Sequence, residues 1–364
     1  MAIHKINITG FLELAAQCPV IDVRSPGEYG HAHIPGAHNL PLFSDEERKT
    51  VGTAYKQQSR EEAIKIGLDY FGVKMKGMVE QAEKFDFSGQ SSVGKTILLY
   101  CWRGGMRSAG MAWLFDLYGF KVYTLVGGYK SYRRWVLAQF EKPCHFQIIG
   151  GYTGSGKTLV LQELGKQGKT IIDLEALANH KGSAFGALGE QPQPKQEMFE
   201  NLLANSLHLT SLKNQETGNN GAEPMAGIWL EDESQRIGNL QIPMPLWHTM
   251  RKSPVFFLDI PFEKRLGYLV EEYGSFEKEK MVNAIIRIQK RLGGLETKNA
   301  ISHLLENNAK ECFRILLGYY DKWYGKALFN RENILSQLIE IPCKGVETKT
   351  NTQKILTCTV PAIS

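Results

Sequence analysis

The sequence predicts two consecutive α/β domains, the second of which continues into a mainly helical C-terminal region. Short apolar runs alternate with segments of helical periodicity, an order that is typical of mostly parallel sheets. A glycine-rich phosphate-loop pattern follows one of these runs, in the strand–loop–helix context that such loops require. The length of 364 residues is sufficient for two domains, and we place them at residues 1–140 and 141–364.

Composition narrows the class of protein. Hydrophobic residues make up 43% of the chain, and no apolar run reaches the roughly 20 residues that span a bilayer. The six cysteines form no CxxC pair, which favours free thiols in a reducing cytosol over a cysteine-based zinc site. With no signal-peptide pattern at the N-terminus, we expect a cytoplasmic protein without a membrane partner. A net charge of +5 is compatible with an anionic partner.

The first domain contains predicted strands and helices in alternation. The predicted strands are residues 19–23, 96–100 and 121–125, and the predicted helices are residues 53–72, 75–85, 109–118 and 132–140.

The strongest candidate for chemistry in this domain is Cys101, where a buried strand precedes a helix N-terminus. Unpaired backbone N–H groups and the helix dipole favour negative charge at such a place. Arg103 and Arg107 add two positive charges, so we expect a thiol that ionises readily beside a bound anion. The alternative is a buried cysteine with a packing role only.

The second domain begins with a predicted strand at 145–149, followed by G-x-x-x-x-G-K-T and a helix at 159–165. This pattern wraps backbone N–H groups around a phosphate, and its lysine reaches the outer phosphates. The candidate phosphate-binding residues are Gly151, Thr153, Gly154, Ser155, Gly156, Lys157 and Thr158.

Acidic residues end two further predicted strands, at residues 170–174 and 227–230. Asp173, Glu231 and Asp232 are candidates for binding Mg²⁺ or orienting a substrate, with helix capping as the alternative. The histidines between residues 31 and 38 alternate with Pro and Gly, a spacing that argues against a metal site. No certain metal ligand follows from the sequence.

Later segments suggest an RNA contact. A predicted helix at 278–292 carries Arg287 and, on the same face, Lys290 and Arg291. Residues 318–325 mix aromatic and charged side chains, a combination that suits unpaired bases and phosphates. A solvated helix face with core aromatics is the alternative. The remaining predictions are a helix at 196–212, a polar excursion at 214–226 and a strand at 255–260.

The first domain resembles a rhodanese. Residues 22–29, residues 33–37 and Tyr100-Cys101 match the signature segments of that family. Five residues separate Cys101 from Arg107, whereas sulfurtransferase rhodaneses have four. The longer loop implies a wider anion cradle, and Tyr100 stands where phosphatase-type members of the superfamily have a histidine.

A rhodanese joined to a phosphate-loop domain is similar to the tRNA 2-selenouridine synthase family. The segments that carry this resemblance are residues 101–108, 127–130, 150–158, 180–186, 231–238 and 290–293. From these segments and the basic helix we take His180, Lys181, Arg236, Arg287, Lys290 and Arg291 as candidate tRNA contacts.

The resemblance implies conversion of wobble 2-thiouridine in tRNA to 2-selenouridine by selenophosphate, through an S-geranyl intermediate made from geranyl diphosphate. No tightly bound cofactor is implied, and Mg²⁺ remains a candidate. Our hypothesis is that the phosphate loop holds geranyl diphosphate while Cys101 carries selenium as a perselenide. The alternatives are a rhodanese-coupled ATP-dependent kinase or NTPase, a sulfurtransferase, and a non-catalytic RNA-binding module.

Overall fold

The computed structural model describes residues 3–88, 95–216, 227–274 and 276–358. Two compact units are formed, one from residues 1–139 with 200–205 and the other from residues 140–199 with 206–364. Each unit is built on a parallel sheet with helices, and the predicted α/β fold class is confirmed. Within the described residues, no helix combines the length and apolar character needed to cross a membrane.

The first unit is organised around a five-stranded parallel sheet. Its strands are β1 (His4–Ile6), β2 (Val20–Asp22), β3 (His38–Asn39), β4 (Thr96–Tyr100) and β5 (Lys121–Leu125). They lie in the order β1-β5-β4-β2-β3, so β4 is central and buried on both faces. Its apolar, β-branched sequence is typical of such a strand. Cys101 therefore follows the middle strand at the carboxyl edge of the sheet.

Seven helices accompany this sheet in the part of the unit that the structure describes. They are α1 (Ile8–Ala15), α2 (Pro26–His31), α3 (Asp45–Gln57), α4 (Arg60–Gly72), α5 (Met75–Ala82), α6 (Met106–Tyr118) and α7 (Gly128–Gln139). The single helix predicted at 53–72 is wrong, because Ser59 interrupts it. The Ser59 hydroxyl accepts a hydrogen bond from the N–H of Glu62 and so starts α4 as its N-cap. Strand β1 and helix α1 were not predicted.

A buried ion pair lies beside the core of this unit. Arg24 is 1% exposed and Asp22 is fully buried. The Arg24 guanidinium donates to both Asp22 carboxylate oxygens and to the carbonyl of Ala32. Its Cζ also lies 3.9 Å from the centre of the Tyr129 ring, a cation–π distance. The Arg24 charge is therefore paired and fully hydrogen-bonded on the side facing β2.

The second unit contains a four-stranded parallel sheet and a short antiparallel hairpin. The strands are β6 (Phe146–Gly150), β7 (Ile228–Glu231), β8 (Arg236–Ile237), β9 (Leu240–Gln241), β10 (Val255–Asp259) and β11 (Leu338–Pro342). The sheet order is β11-β10-β6-β7, and β8 pairs with β9. The strand before the phosphate loop, β6, is central, so the loop also emerges from the carboxyl edge of its sheet.

The described residues of this unit also form ten helices, of which α10 includes residues 200–205 of the first unit. They are α8 (Lys157–Lys166), α9 (Leu174–Ala178), α10 (Gln196–Glu216), α11 (Met244–Arg251), α12 (Phe262–Tyr273), α13 (Lys278–Leu292), α14 (Gly294–Leu305), α15 (Ala309–Phe329), α16 (Ile334–Gln337) and α17 (Thr348–Thr357). Apolar faces of α12 to α15 form one core cluster, and the sheet with α8 and α17 forms another.

Two sequence predictions for this unit need correction or comment. The strand expected at 170–174 is reduced to a single bridge from Ile171 to Trp229, because the Asp173 carboxylate caps α9 there. Strand β11 follows the helical region and was not predicted. Of the excursion predicted at 214–226, residues 217–226 lie outside the described part of the chain.

We expect Arg24→Met to lower the free energy of unfolding by about 3–5 kcal/mol, because the substitution leaves the Asp22 carboxylate buried without its partner. Urea unfolding of the full chain, followed by circular dichroism, measures this change. Lys76→Ala is the control, since Lys76 forms an exposed pair with Glu80 and should have no measurable effect. Equal stability of the two variants would contradict the prediction.

Candidate active sites

The thiol of Cys101 lies at the base of a short loop between β4 and α6. Its Sγ accepts a hydrogen bond from the N–H of Gly105 at 3.2 Å and lies 3.2 Å from the Ser108 hydroxyl. Ser108 also donates to the carbonyl of Gly105 at 3.1 Å. Cys101 is 3% exposed. These contacts aim the sulfur at the N-terminus of α6, where backbone N–H groups favour a negative charge.

Glycine allows the segment after β5 to pack against this loop. Gly128 has a φ of +58°, and a Cβ atom there would lie 2.3 Å from the carbonyl oxygen of Cys101. The next residues, Tyr129 and Lys130, donate their N–H groups to the carbonyls of Cys101 and Trp102 at 2.8 and 3.0 Å. The loop carbonyls are therefore paired with this segment, which holds the loop in shape.

The two loop arginines have different surroundings. Arg103 is exposed, whereas Arg107 donates to the carboxylate of Glu28, with Nη1 to Oε2 at 2.6 Å. Arg48 pairs with the same carboxylate at 2.9 Å. Burial of the Glu28 carboxyl by itself raises its pKa. The hydrogen bonds and charge of Arg107, with the charge of Arg48, outweigh burial and keep that pKa below its usual range. Sequence reasoning missed Glu28 and Arg48.

The phosphate loop has the backbone that its glycines predict. Gly151, Gly154 and Gly156 all have positive φ values, and a Cβ at each would come within 2.9 Å of a neighbouring side chain. The Lys157 ammonium donates to the carbonyl of Gly151 at 3.0 Å, which folds this side chain back over the loop. Thr158 donates its hydroxyl to Glu175 Oε2 at 2.8 Å.

A cavity of about 810 Å³ opens over this loop. Residues 153–159 form one end of it, with Lys157 and Thr158 among them. Aromatic and aliphatic side chains of α12 and α15 form much of the remaining wall, including Tyr273, Phe313 and Leu317. Its volume falls in the range of small-molecule sites. The cavity therefore joins an anion cradle to an apolar wall.

The predicted acids have separate roles in the structure. Asp173 lines the cavity while capping α9, and Asp232 binds Arg331 and accepts from the Tyr324 hydroxyl at 2.7 Å. Glu231 is fully buried, and neither carboxyl oxygen has a hydrogen-bond partner among the described residues. Burial raises the Glu231 pKa well above its usual value, and the negative charges of Glu175 and neighbouring acids add to this.

Helix α15 is linked to the phosphate loop directly by Tyr324 and indirectly, through Arg265, by Asp321. The Tyr324 hydroxyl accepts from the N–H of Gly151 at 3.0 Å. Asp321 binds Arg265 through two hydrogen bonds of 2.9 and 2.7 Å, and Arg265 donates to the Thr153 carbonyl at 3.0 Å. Sequence reasoning identified the aromatic stretch around Tyr324 as an RNA contact but did not predict these links. The i, i+3 spacing of Asp321 and Tyr324 places both side chains on one helix face, and this spacing could have indicated that they contact the same segment.

The candidate tRNA contacts divide into cavity residues and surface residues. His180 and Lys181 line the cavity. Burial, together with the charge of Arg287, lowers the His180 pKa, while Lys181 pairs with Glu272 at 2.7 Å. Arg291 also lines the cavity. The remaining candidates, Arg236, Arg287 and Lys290, are exposed.

Together, the cysteine loop and the phosphate loop define a protein with one rhodanese-like domain and one phosphate-loop domain. The family model of the rhodanese-like domain matches residues 10–134. The family model described as the tRNA 2-selenouridine synthase AAA domain matches residues 144–337, more than half of the chain.

Curated relatives show to which family the chain belongs. A tRNA 2-selenouridine synthase of Sulfurovum sp. (strain NBC37-1) is 35% identical over 84% of this chain and 87% of its own length. The Hydrogenovibrio crunogenus protein of that name is 35% identical over 84% of this chain and 88% of its own length. The Nitrosomonas europaea protein of that name is 39% identical over 71% of this chain and 64% of its own length. The chain belongs to the tRNA 2-selenouridine synthase family.

A solved structure is also similar to part of the chain. The N-terminal domain of a Clostridium difficile 630 protein is 41% identical over 37% of this chain and 99% of that domain, with a TM-score of 0.33.

We expect Glu28→Gln to lower the free energy of unfolding at pH 7 by about 1–3 kcal/mol, because it removes a charged partner of Arg107 and Arg48. The lowered pKa of Glu28 means that its ionised form stabilises the folded state above the unfolded pKa of about 4.3. That stabilisation is lost as the pH falls through the folded pKa.

Urea unfolding at a series of pH values therefore measures a stability difference from wild type that narrows towards pH 3. Glu80→Gln is the control, because Glu80 lies in an exposed pair with Lys76. A difference for Glu28→Gln that stays constant from pH 7 to pH 3 would contradict the assignment.

Proposed function

We propose that this chain is a tRNA-modifying enzyme that replaces the sulfur of wobble 2-thiouridine with selenium from selenophosphate. In the first step of the proposal, that sulfur is geranylated by geranyl diphosphate. The observation that carries the proposal is the presence of two anion-binding loops, one with a thiol and one opening onto an apolar cavity, in a chain of this family.

The phosphate-loop cavity supports binding of a prenyl diphosphate. Backbone N–H groups of the loop and the Lys157 ammonium suit the diphosphate, and the wall around Phe313 suits an apolar chain. In the proposed step the thiocarbonyl sulfur attacks the first carbon of the geranyl group and the carbon–oxygen bond to diphosphate breaks. Preorganised donors stabilise the negative charge that develops on the leaving diphosphate.

Mg²⁺ fits the same end of the cavity. Its preferred donors are oxygens. The Thr158 hydroxyl and the Glu175 carboxyl are of this kind, line the cavity and are hydrogen-bonded to each other at 2.8 Å. In the described residues, no group of three or more His, Cys, Asp or Glu side chains could hold a metal. Phosphate oxygens and water would supply most ligands, and the ion would help neutralise the diphosphate charge.

The cysteine loop supports the selenium step. Gly105 donates its N–H to the Cys101 sulfur, and the helix N-terminus favours binding of an anionic donor beside it. A perselenide on Cys101 would need an oxidant, because the selenium of selenophosphate is at the selenide level. In the proposed step the Cys101 sulfur therefore attacks the phosphorus of selenophosphate, the phosphorus–selenium bond breaks to release selenide, and water hydrolyses the phosphocysteine to phosphate and free cysteine. Arg103 and Arg107 bind the phosphoryl group, and the released selenide attacks C2 of the base. Geranylthiolate then leaves C2 of the base when selenium replaces it.

We expect geranyl diphosphate to stabilise the protein against thermal unfolding, by about 2.7 kcal/mol at a concentration of 100 times Kd. ATP should give no comparable shift, because the aromatic wall beside the phosphate loop offers a better match to an alkyl chain than to a ribose. Differential scanning fluorimetry with each ligand checks this. Lys157→Ala should abolish the shift, and stabilisation by ATP alone would favour the NTPase alternative.

We expect Cys101→Ala to abolish formation of 2-selenouridine while leaving S-geranylation intact, because the sulfur attack on geranyl diphosphate does not use the thiol. Mass spectrometry of nucleosides from thiolated tRNA, treated with each co-substrate, measures both products. Cys18→Ala is the matched control in the same unit, since Cys18 is a half-buried free cysteine away from the loop. Selenation that survives Cys101→Ala would disprove the role of Cys101.

A further inference from the structure

One exposed tryptophan lies on the wall of the phosphate-loop cavity. Trp323, on α15, is 43% exposed and lines the same cavity as Lys157 and Thr158. A side chain that lines a cavity and is nearly half exposed lies where that cavity opens to solvent. Large exposed aromatics at such openings are suited to binding flat ligands.

Two cations and a second aromatic ring surround the Trp323 indole. Arg291 Cζ lies 5.8 Å and Lys326 Nζ 5.2 Å from the ring centre, both within cation–π range. The Tyr319 ring lies 6.4 Å away at 61°. Unpaired bases in RNA stack on rings of this kind, and arginine and lysine beside them bind the flanking phosphates. This charge favours a nucleotide over a neutral apolar partner.

Helix α15 connects this tryptophan to the phosphate loop. Tyr324 is the next residue, and its hydroxyl accepts from the N–H of Gly151. Asp321 reaches the Thr153 carbonyl through Arg265. Tyr320 accepts from the N–H of Ala184 at 3.0 Å, which ties a further wall segment to the same turn of helix. Trp323 therefore has a defined position relative to the anion cradle.

We infer that an unpaired base of the RNA substrate stacks on Trp323, with Arg291 and Lys326 binding the adjacent phosphates. This inference rests on the proposed function, because it takes the RNA as the acceptor for the group held in the cavity. Stacking at the opening holds the acceptor base beside the cavity while the diphosphate occupies the loop. Trp323 is then a positioning residue for the base, and Lys157 binds the diphosphate.

The test compares Trp323→Ala, Trp323→Phe and Phe329→Ala in the full chain. Phe329 is the matched control, since it is 60% exposed on the same helix and does not line the cavity. For Trp323→Ala, we expect the KM for thiolated tRNA in geranylation to rise about tenfold or more, while the KM for geranyl diphosphate stays within about twofold. Trp323→Phe should stay close to wild type because it retains a stacking face.

Two outcomes of the kinetic test would overturn the inference. An unchanged KM for tRNA in Trp323→Ala would show that no base stacks there. A raised KM for geranyl diphosphate with an unchanged KM for tRNA would assign Trp323 to the prenyl chain instead. Thermal unfolding of each variant shows whether it is folded, and crosslinking of the wild-type protein keeps the test decisive if Trp323→Ala is not.

A binding experiment separates this inference from the proposed chemistry. An anticodon stem-loop with 5-iodouridine at the target position is irradiated with the wild-type protein, and the crosslinked peptide is sequenced. We expect a crosslink at Trp323, and Arg291→Ala should reduce the salt dependence of RNA binding by about one phosphate contact. A crosslink at a residue outside the cavity opening would overturn the inference, even if tRNA is modified. A wild-type protein that crosslinks at Trp323 but forms neither product would overturn the proposed function alone.

Discussion

The hydrogen bond from the Gly151 N–H to the Tyr324 hydroxyl is the contact on which the geometry of the second unit most depends. It joins the first residue of the phosphate loop to a helix that is more than 170 residues away in the chain. Tyr324 in turn donates to Asp232, which follows the strand next to β6 and is paired with Arg331. Loop, sheet edge and helix are thereby held by one polar network.

The two candidate anion-binding loops have the same backbone arrangement but different side chains. Each follows a central parallel strand and precedes a helix, so unpaired N–H groups point at the same place where the strand ends. In the first loop a thiol lies at this point, and the arginine Arg107 is already partly neutralised by Glu28. In the second, Lys157 carries the positive charge and a large cavity lies beyond it. One loop suits a nucleophile, and the other suits a leaving group.

Local sequence was sufficient for much of the fold and for the centres of both candidate sites. Strand β4, Cys101, strand β6 and the phosphate loop follow from apolar runs and glycine spacing, which act over a few residues. Short elements were harder to predict. Strand β11 pairs with β10, which lies about 80 residues earlier, and the stretch at 170–174 lost its strand character to the capping side chain of Asp173. Tertiary context outweighs local propensity in such segments.

The sequence by itself determined the α/β class, the order of the two loops and the identities of Cys101 and Lys157. It did so because strand periodicity, glycine positions and helix starts are local properties of the chain. Only the tertiary structure decided that Glu28 pairs with Arg107, that the carboxyl of Glu231 is fully buried, and that Tyr324 of α15 contacts the phosphate loop. These features depend on packing between segments that are distant in sequence. The spacing of residues along the chain does not predict which distant side chains come into contact.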